Sequence, residues 1–118
     1  MIFRPLWVLM LPLTLAACAS DPAPVEQMRL TEQTLSQAQT SGVSLEHSPT
    51  LQQAQHKFSA AQAAMAEQDY KQARIYAEQA ELDARLAESQ QLTEKSTQQL
   101  VELTTSINRL RKQLGGLQ

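Results

Sequence analysis

The stretch SPTLQQAQHKFSAAQAAMAEQDYKQARIYAEQAELDA, residues 48–84, decides the fold. It opens on Ser48-Pro49, a serine suited to cap a helix and a proline at its first position, where no amide hydrogen is needed. Leu51, Ala54, Phe58, Ala61 and Met65 then follow at spacings of 3, 4, 3 and 4, the heptad pattern of a helix that packs on another helix. Glu67-Gln68-Asp69 reads as a tight turn, with Asp69 capping what comes next. Beyond it Ala73, Ala77, Ala80, Ala84 and Ala87 repeat the 4-3 spacing. Two seams joined by so short a turn predict an antiparallel helical hairpin, with Leu51, Phe58 and Met65 set against alanines.

Working outward toward the C-terminus, no glycine or proline interrupts residues 70–114. A helix of that length spans roughly 67 Å, whereas the helix over 49–66 reaches only about 27 Å. The second half of the long helix therefore outruns its partner. It carries Leu100, Leu103, Ile107, Leu110, Leu114 and Leu117, again at 3-4 spacing. Either the first helix covers this stripe or another chain does, as a second copy or a helical envelope protein. Gly115-Gly116 ends the helix and leaves a short tail over 115–118.

Toward the N-terminus, residues 25–40 hold no proline or glycine, and Met28, Leu35 and Ala38 fall near one face, so a first helix is expected there. Gly42 is its stop, and Val43–His47 a loop. The fold class is all-α: a hairpin or three-helix, coiled-coil-like bundle with helices over about 25–40, 49–66 and 70–114. Composition agrees, because beyond residue 18 the only aromatics are Phe58, Tyr70 and Tyr76. Aromatics normally supply much of a thick core, and three suit a narrow helical seam instead.

Residues 1–17 read as a removable export signal. Arg4 is basic, Leu6–Leu15 is apolar, and the small Ala16 and Ala17 precede the chain's one cysteine, Cys18. The apolar run is shorter than the roughly 20 residues of a membrane span and is broken by Pro12. Leu15-Ala16-Ala17-Cys18 resembles the bacterial lipobox. That resemblance implies that the Cys18 sulfur accepts a diacylglyceryl group, that cleavage before it frees its amino group, and that this too is acylated, commonly with palmitate. A thiolate is the nucleophile such chemistry needs. The alternative is a conventional signal cut near Ala17–Ala19 with Cys18 incidental. Each buried CH₂ contributes about 0.8 kcal/mol and one acyl chain is a weak anchor, so three chains make release negligible. In similar lipoproteins an Asp directly after the Cys favours inner-membrane retention. Here Ala19 and Ser20 follow, which implies the periplasmic face of the outer membrane, with 18–24 as a tether containing Pro22 and Pro24.

The seam residues carry a second resemblance. Ser48-Pro49 with Leu51, Ala54, Lys57 and Phe58, then Gln68-Asp69-Tyr70 with Ala73, Arg74 and Ala77, then Glu78-Gln79-Ala80 and Asp83-Ala84, are similar to the helical domain of proteobacterial lipoproteins catalogued as domain of unknown function 4398. The resemblance covers roughly residues 25–89 and implies a helical fold without lending an activity. Some relatives carry a downstream peptidoglycan-binding domain, for which 118 residues leave no room, and the chain does not end in a wall-linking lysine. Asp69-Tyr70 with Ala73-Arg74 also resembles one tetratricopeptide-like turn, but no 34-residue repeat accompanies it.

Catalytic and cofactor chemistry finds little footing. His47 and His56 are the only histidines and no second cysteine exists, whereas a zinc site needs several converging ligands. Ser44, Glu46 and His47 share one loop and read as solvated. Tyr70 and Tyr76 read as packing residues. No metal, cofactor or catalytic residue is expected. The net charge of −2, or −3 once Arg4 is removed, offers no polyanion-seeking balance, so nucleic acid is not an expected partner. Arg109, Arg111 and Lys112 sit where cations favour a helix C-terminus, with contact to an anionic envelope polymer as the sharper alternative. The expectation is a membrane-anchored, non-enzymatic envelope lipoprotein acting as a structural or interaction module. An accessory subunit of an envelope machine, docking through Leu100–Leu117, comes second, and a small-ligand binder or enzyme third.

Overall fold

A computed structural model describes residues 21–116; Cys18, the preceding signal segment, the start of the tether and Leu117 lie outside them. The described residues form three helices: α1 (Val25–Thr40), α2 (Pro49–Ala66) and α3 (Tyr70–Gly115). The chain runs up, down and up again. α2 is antiparallel to α3, with the Lys57 ammonium paired to Asp83 and the Thr50 hydroxyl donating to Gln90 at 3.0 Å. α1 runs parallel to α3. At its lower end the Arg74 guanidinium donates to the Pro22 carbonyl (3.3 Å), and at its upper end the Ser41 hydroxyl donates to Glu88 (2.8 Å).

The helix ends are set by local chemistry. Ser48 sits in extended backbone and its hydroxyl accepts from the Leu51 amide at 3.2 Å; Asp69 does the same for the Gln72 amide at 3.1 Å. Each leaves one fewer orphan donor at a helix start. Replacing Ser48 with Ala is expected to cost about 1 kcal/mol, read as a lower midpoint in chemical denaturation. Both helix stops use one device. After α1, the Val43 amide donates to the Ala38 carbonyl and the Gly42 amide to Gln39, with Gly42 at φ +94°. After α2, the Asp69 amide donates to Ala64 and the Gln68 amide to Met65, with Gln68 at φ +62°. These are Schellman ends, in which one left-handed residue turns the chain. The second shares Asp69 with the cap of α3, which is why three residues suffice to reverse direction.

The core is thin and graded. Its upper end, beside the α1–α2 loop, gathers Leu35, Ala38, Val43, Leu51, Ala54, Ala84 and Ala87, with Leu45 and Phe58 packed at the margin. Its lower end is walled by Ala61, Ala64, Ala73, Ala77 and Ala80, all buried. There α1 and α3 come so close that the buried Thr31 hydroxyl reaches both its own helix, at the Gln27 carbonyl (2.8 Å), and the Ala77 carbonyl of α3 (3.0 Å). Along α2, Leu51, Ala54 and Ala61 are fully buried, while Phe58 and Met65, in the same heptad register, are partly buried, with Phe58 packed against the upper cluster.

Candidate functional site

From Leu92 through Gly116 every residue is exposed. The bundle stops covering α3 at the α1–α2 loop, where the Lys95 ammonium donates to the Ser41 carbonyl at 3.1 Å. Gln98 still borders a groove with Gly42, Ser44, His47 and Ser48. Beyond it α3 continues alone to Gly115, for roughly 25 Å. α1 therefore does not cover the leucine stripe, since it spends its length on the lower half of α3, from Arg74 to Glu88.

The stripe is the most conspicuous surface of the described residues. Leu100, Leu103, Ile107, Leu110 and Leu114 are each between 49% and 66% exposed. The same phase runs down the proximal half of the helix. Ile75, Leu82 and Leu86 fall on this line at 3-4 steps, and all three are exposed. Two positions separate Ile75 and Leu82 from the buried Ala73 and Ala80, so stripe and alanine seam occupy opposite faces of one helix. Between the two apolar parts the line is polar, at Ser89, Thr93 and Ser96. Arg111 beside the stripe, and Arg109 and Lys112 on the tail's other side, take part in no ion pair among the described residues.

Several polar groups of the bundle hold its helices together. Gln27 donates to Glu81 (2.7 Å), bridging α1 to α3, and the Arg85 guanidinium bonds the same carboxylate along the helix. A groove of about 410 Å³ between α1 and α3 is lined by Leu30, Gln33, Thr34, Gln37, Arg85 and Glu88. Its hydroxyl, that of Thr34, is spent on the Leu30 carbonyl. The Ser44 hydroxyl and His47 Nδ1 do meet, at 3.2 Å, but on an exposed loop three residues apart, and no carboxylate is hydrogen-bonded to His47 among the described residues. His56 lies on α2, and no group of three or more metal-ligating side chains is gathered among the described residues. Tyr70 and Tyr76 are half-buried on the first turns of α3. Among the described residues no helix is long and apolar enough to cross a membrane.

This three-helix arrangement is a known one. The family model described as Domain of unknown function (DUF4398) matches residues 26–103, which takes in α1 but for its first residue, all of α2 and most of α3. The chain belongs to the DUF4398 family. It is similar to a DUF4398 family protein from Pseudomonas aeruginosa PAO1 whose crystal structure is known, with 59% sequence identity and a TM-score of 0.77. The match covers 82% of this chain and 100% of that one. No curated protein matches the chain. The DUF4398 match ends at residue 103, so the last leucines of the stripe lie past the part of the chain that the family pattern describes.

Proposed function

We propose that this chain is a lipid-anchored lipoprotein on the periplasmic face of the outer membrane, serving as a non-enzymatic structural or protein-interaction module of the envelope. The observation that carries the reading is the polarity of the bundle. The Pro22 carbonyl sits against Arg74, at the start of α3, while the exposed stripe begins at Leu100 and ends near the opposite tip. An anchor at Cys18, four residues before Pro22, would hold one end of the molecule at the bilayer and carry the stripe away from it. From Arg74 to Gly115 that offset is roughly 62 Å along the helix. The lipobox-like Leu15-Ala16-Ala17-Cys18 supports the anchor, and Ala19-Ser20 supports outer-membrane sorting. The interhelical bonds of Glu81, Thr31 and Ser41 and the Asp69 cap support a scaffold over a catalyst, because these groups are spent on holding and starting helices.

A second reading, an accessory subunit of an envelope assembly or transport machine, is favoured by the same stripe, whose five large side chains face water with no partner from the bundle. The anchor is tested first. Cells fed labelled palmitate should label the wild-type chain, and Cys18→Ser should abolish the label and leave an unprocessed or soluble form. A wild-type chain that never takes up label would remove the anchor from the proposal.

A further inference from the structure

We infer that the occupant of the Leu100–Leu114 stripe is the same stripe of a second copy, paired as a parallel two-stranded coiled coil at the membrane-distal end. Its parallel sense rests on the anchoring proposed above; the pairing itself rests on the helix. In heptad terms Leu100, Ile107 and Leu114 are a positions, and Leu103 and Leu110 are d positions. At its centre the β-branched Ile107 at a stands between Leu103 and Leu110 at d, the combination that favours two parallel strands.

The borders of the stripe identify the partner. The positions flanking the seam are Gln99, Thr104, Ser106, Arg111 and Gln113, of which only Arg111 is charged. Such flanks normally carry the complementary charges that select a different chain or reject an identical one. Here a parallel, in-register pair sets Gln99 opposite Thr104 of the other copy and Ser106 opposite Arg111, so charge never meets like charge across the seam. Arg109 and Lys112 lie at the outer positions of the heptad, turned from it. The extent fits as well. Leu100 is the first apolar member of the line after Ser89, Thr93 and Ser96, and it lies just past the point where α1 and the loop stop covering α3. Two copies held on one bilayer by the same end of the bundle present their tails side by side, pointing the same way. The stripe is only two heptads long, and shared anchoring would strengthen its pairing by raising the local concentration.

The test uses the full chain in native membranes. Leu110→Cys places a thiol at a d position, where the two α-carbons of a parallel pair fall within disulfide reach; Thr105→Cys, on the outer face, places it beyond the separation of about 7 Å that a disulfide tolerates. Under mild oxidation Leu110→Cys should give covalent dimer about tenfold in excess of Thr105→Cys, as the heptad geometry requires. Both substitutions lie beyond the bundle, so folding is not at stake. Equal, negligible dimer from the two would overturn the inference. So would a photo-crosslinker at Ile107 that captures a different protein or a lipid in place of this chain. Palmitate labelling of the same samples keeps the two proposals apart. Unlabelled protein that still dimerises through position 110 sinks the anchor alone, and labelled protein that stays monomeric sinks the pairing alone.

Discussion

Replacing Leu51 with Ala should cost the bundle about 3 kcal/mol, the middle of the range for deleting a fully buried leucine. For a domain near this size that corresponds to a fall of roughly 12–24 °C in melting temperature. The argument begins with scarcity. Leu51 and Thr31 are the largest side chains that are fully buried among the described residues, and Leu51 is the larger apolar one. It stands on the first turn of α2, where its amide is held by Ser48, so its backbone cannot drift to fill the space its side chain leaves. Its neighbours Ala54, Ala84 and Ala87 have no rotamers with which to collapse into a cavity, and Leu35, Val43 and Ala38 are already in place around it. A total stability of only 5–15 kcal/mol is usual for a domain, so the loss is a large share. Urea unfolding followed by far-ultraviolet circular dichroism measures it. An unchanged midpoint would mean that the upper core is not where the bundle is held.

How far the residues alone reveal this molecule depends on which signal each element carries. α2 and α3 were legible because a capping serine and proline, a heptad, a turn and a second heptad follow one another without conflict. The stripe was legible for the same reason, and length shows that α2 is too short to reach it, but length alone does not say whether α1 or another chain covers it. The path of α1 was not legible. Its buried residues are Thr31, Thr34, Leu35 and Ala38, and the two hydroxyl residues are not among the apolar positions, Met28, Leu35 and Ala38, that periodicity shows. Only the folded chain brings Thr31 to the Ala77 carbonyl, which makes a polar side chain the right one for a close helix crossing. Spacing put Phe58 and Met65 in the same register as Leu51 but did not report how deeply each would be covered. Gln68 was also silent, being an ordinary residue in the left-handed position where Gly42 serves at the other helix end.

Enlarging the alanine seam should do more damage than its small side chains suggest. Ala84→Leu is expected to cost about 3 kcal/mol or more, at or past the upper end for overpacking. Ala84 is fully buried and belongs to the cluster that joins Leu35 of α1 to Leu51 and Ala54 of α2. A leucine there has neighbours on two helices at once, so neither α1 nor α2 can yield without giving up its own contacts. Leu86→Ala, two positions on, should change stability by less than about 0.5 kcal/mol, because half of that side chain is in water and alanine is the better helix former. The pair of measurements therefore reports the two faces of one helix turn. Comparable losses at both sites would mean that the outer face of α3 is covered even in the isolated bundle. The stripe offers a further separation. Leu100 to Leu114 lie beyond the reach of the bundle, so covalent dimer through Leu110→Cys should persist when Ala84→Leu is added, even as the midpoint falls. Loss of that dimer together with the bundle would show that the distal pairing depends on how α1 and α2 are packed, and not on the tail of α3 alone.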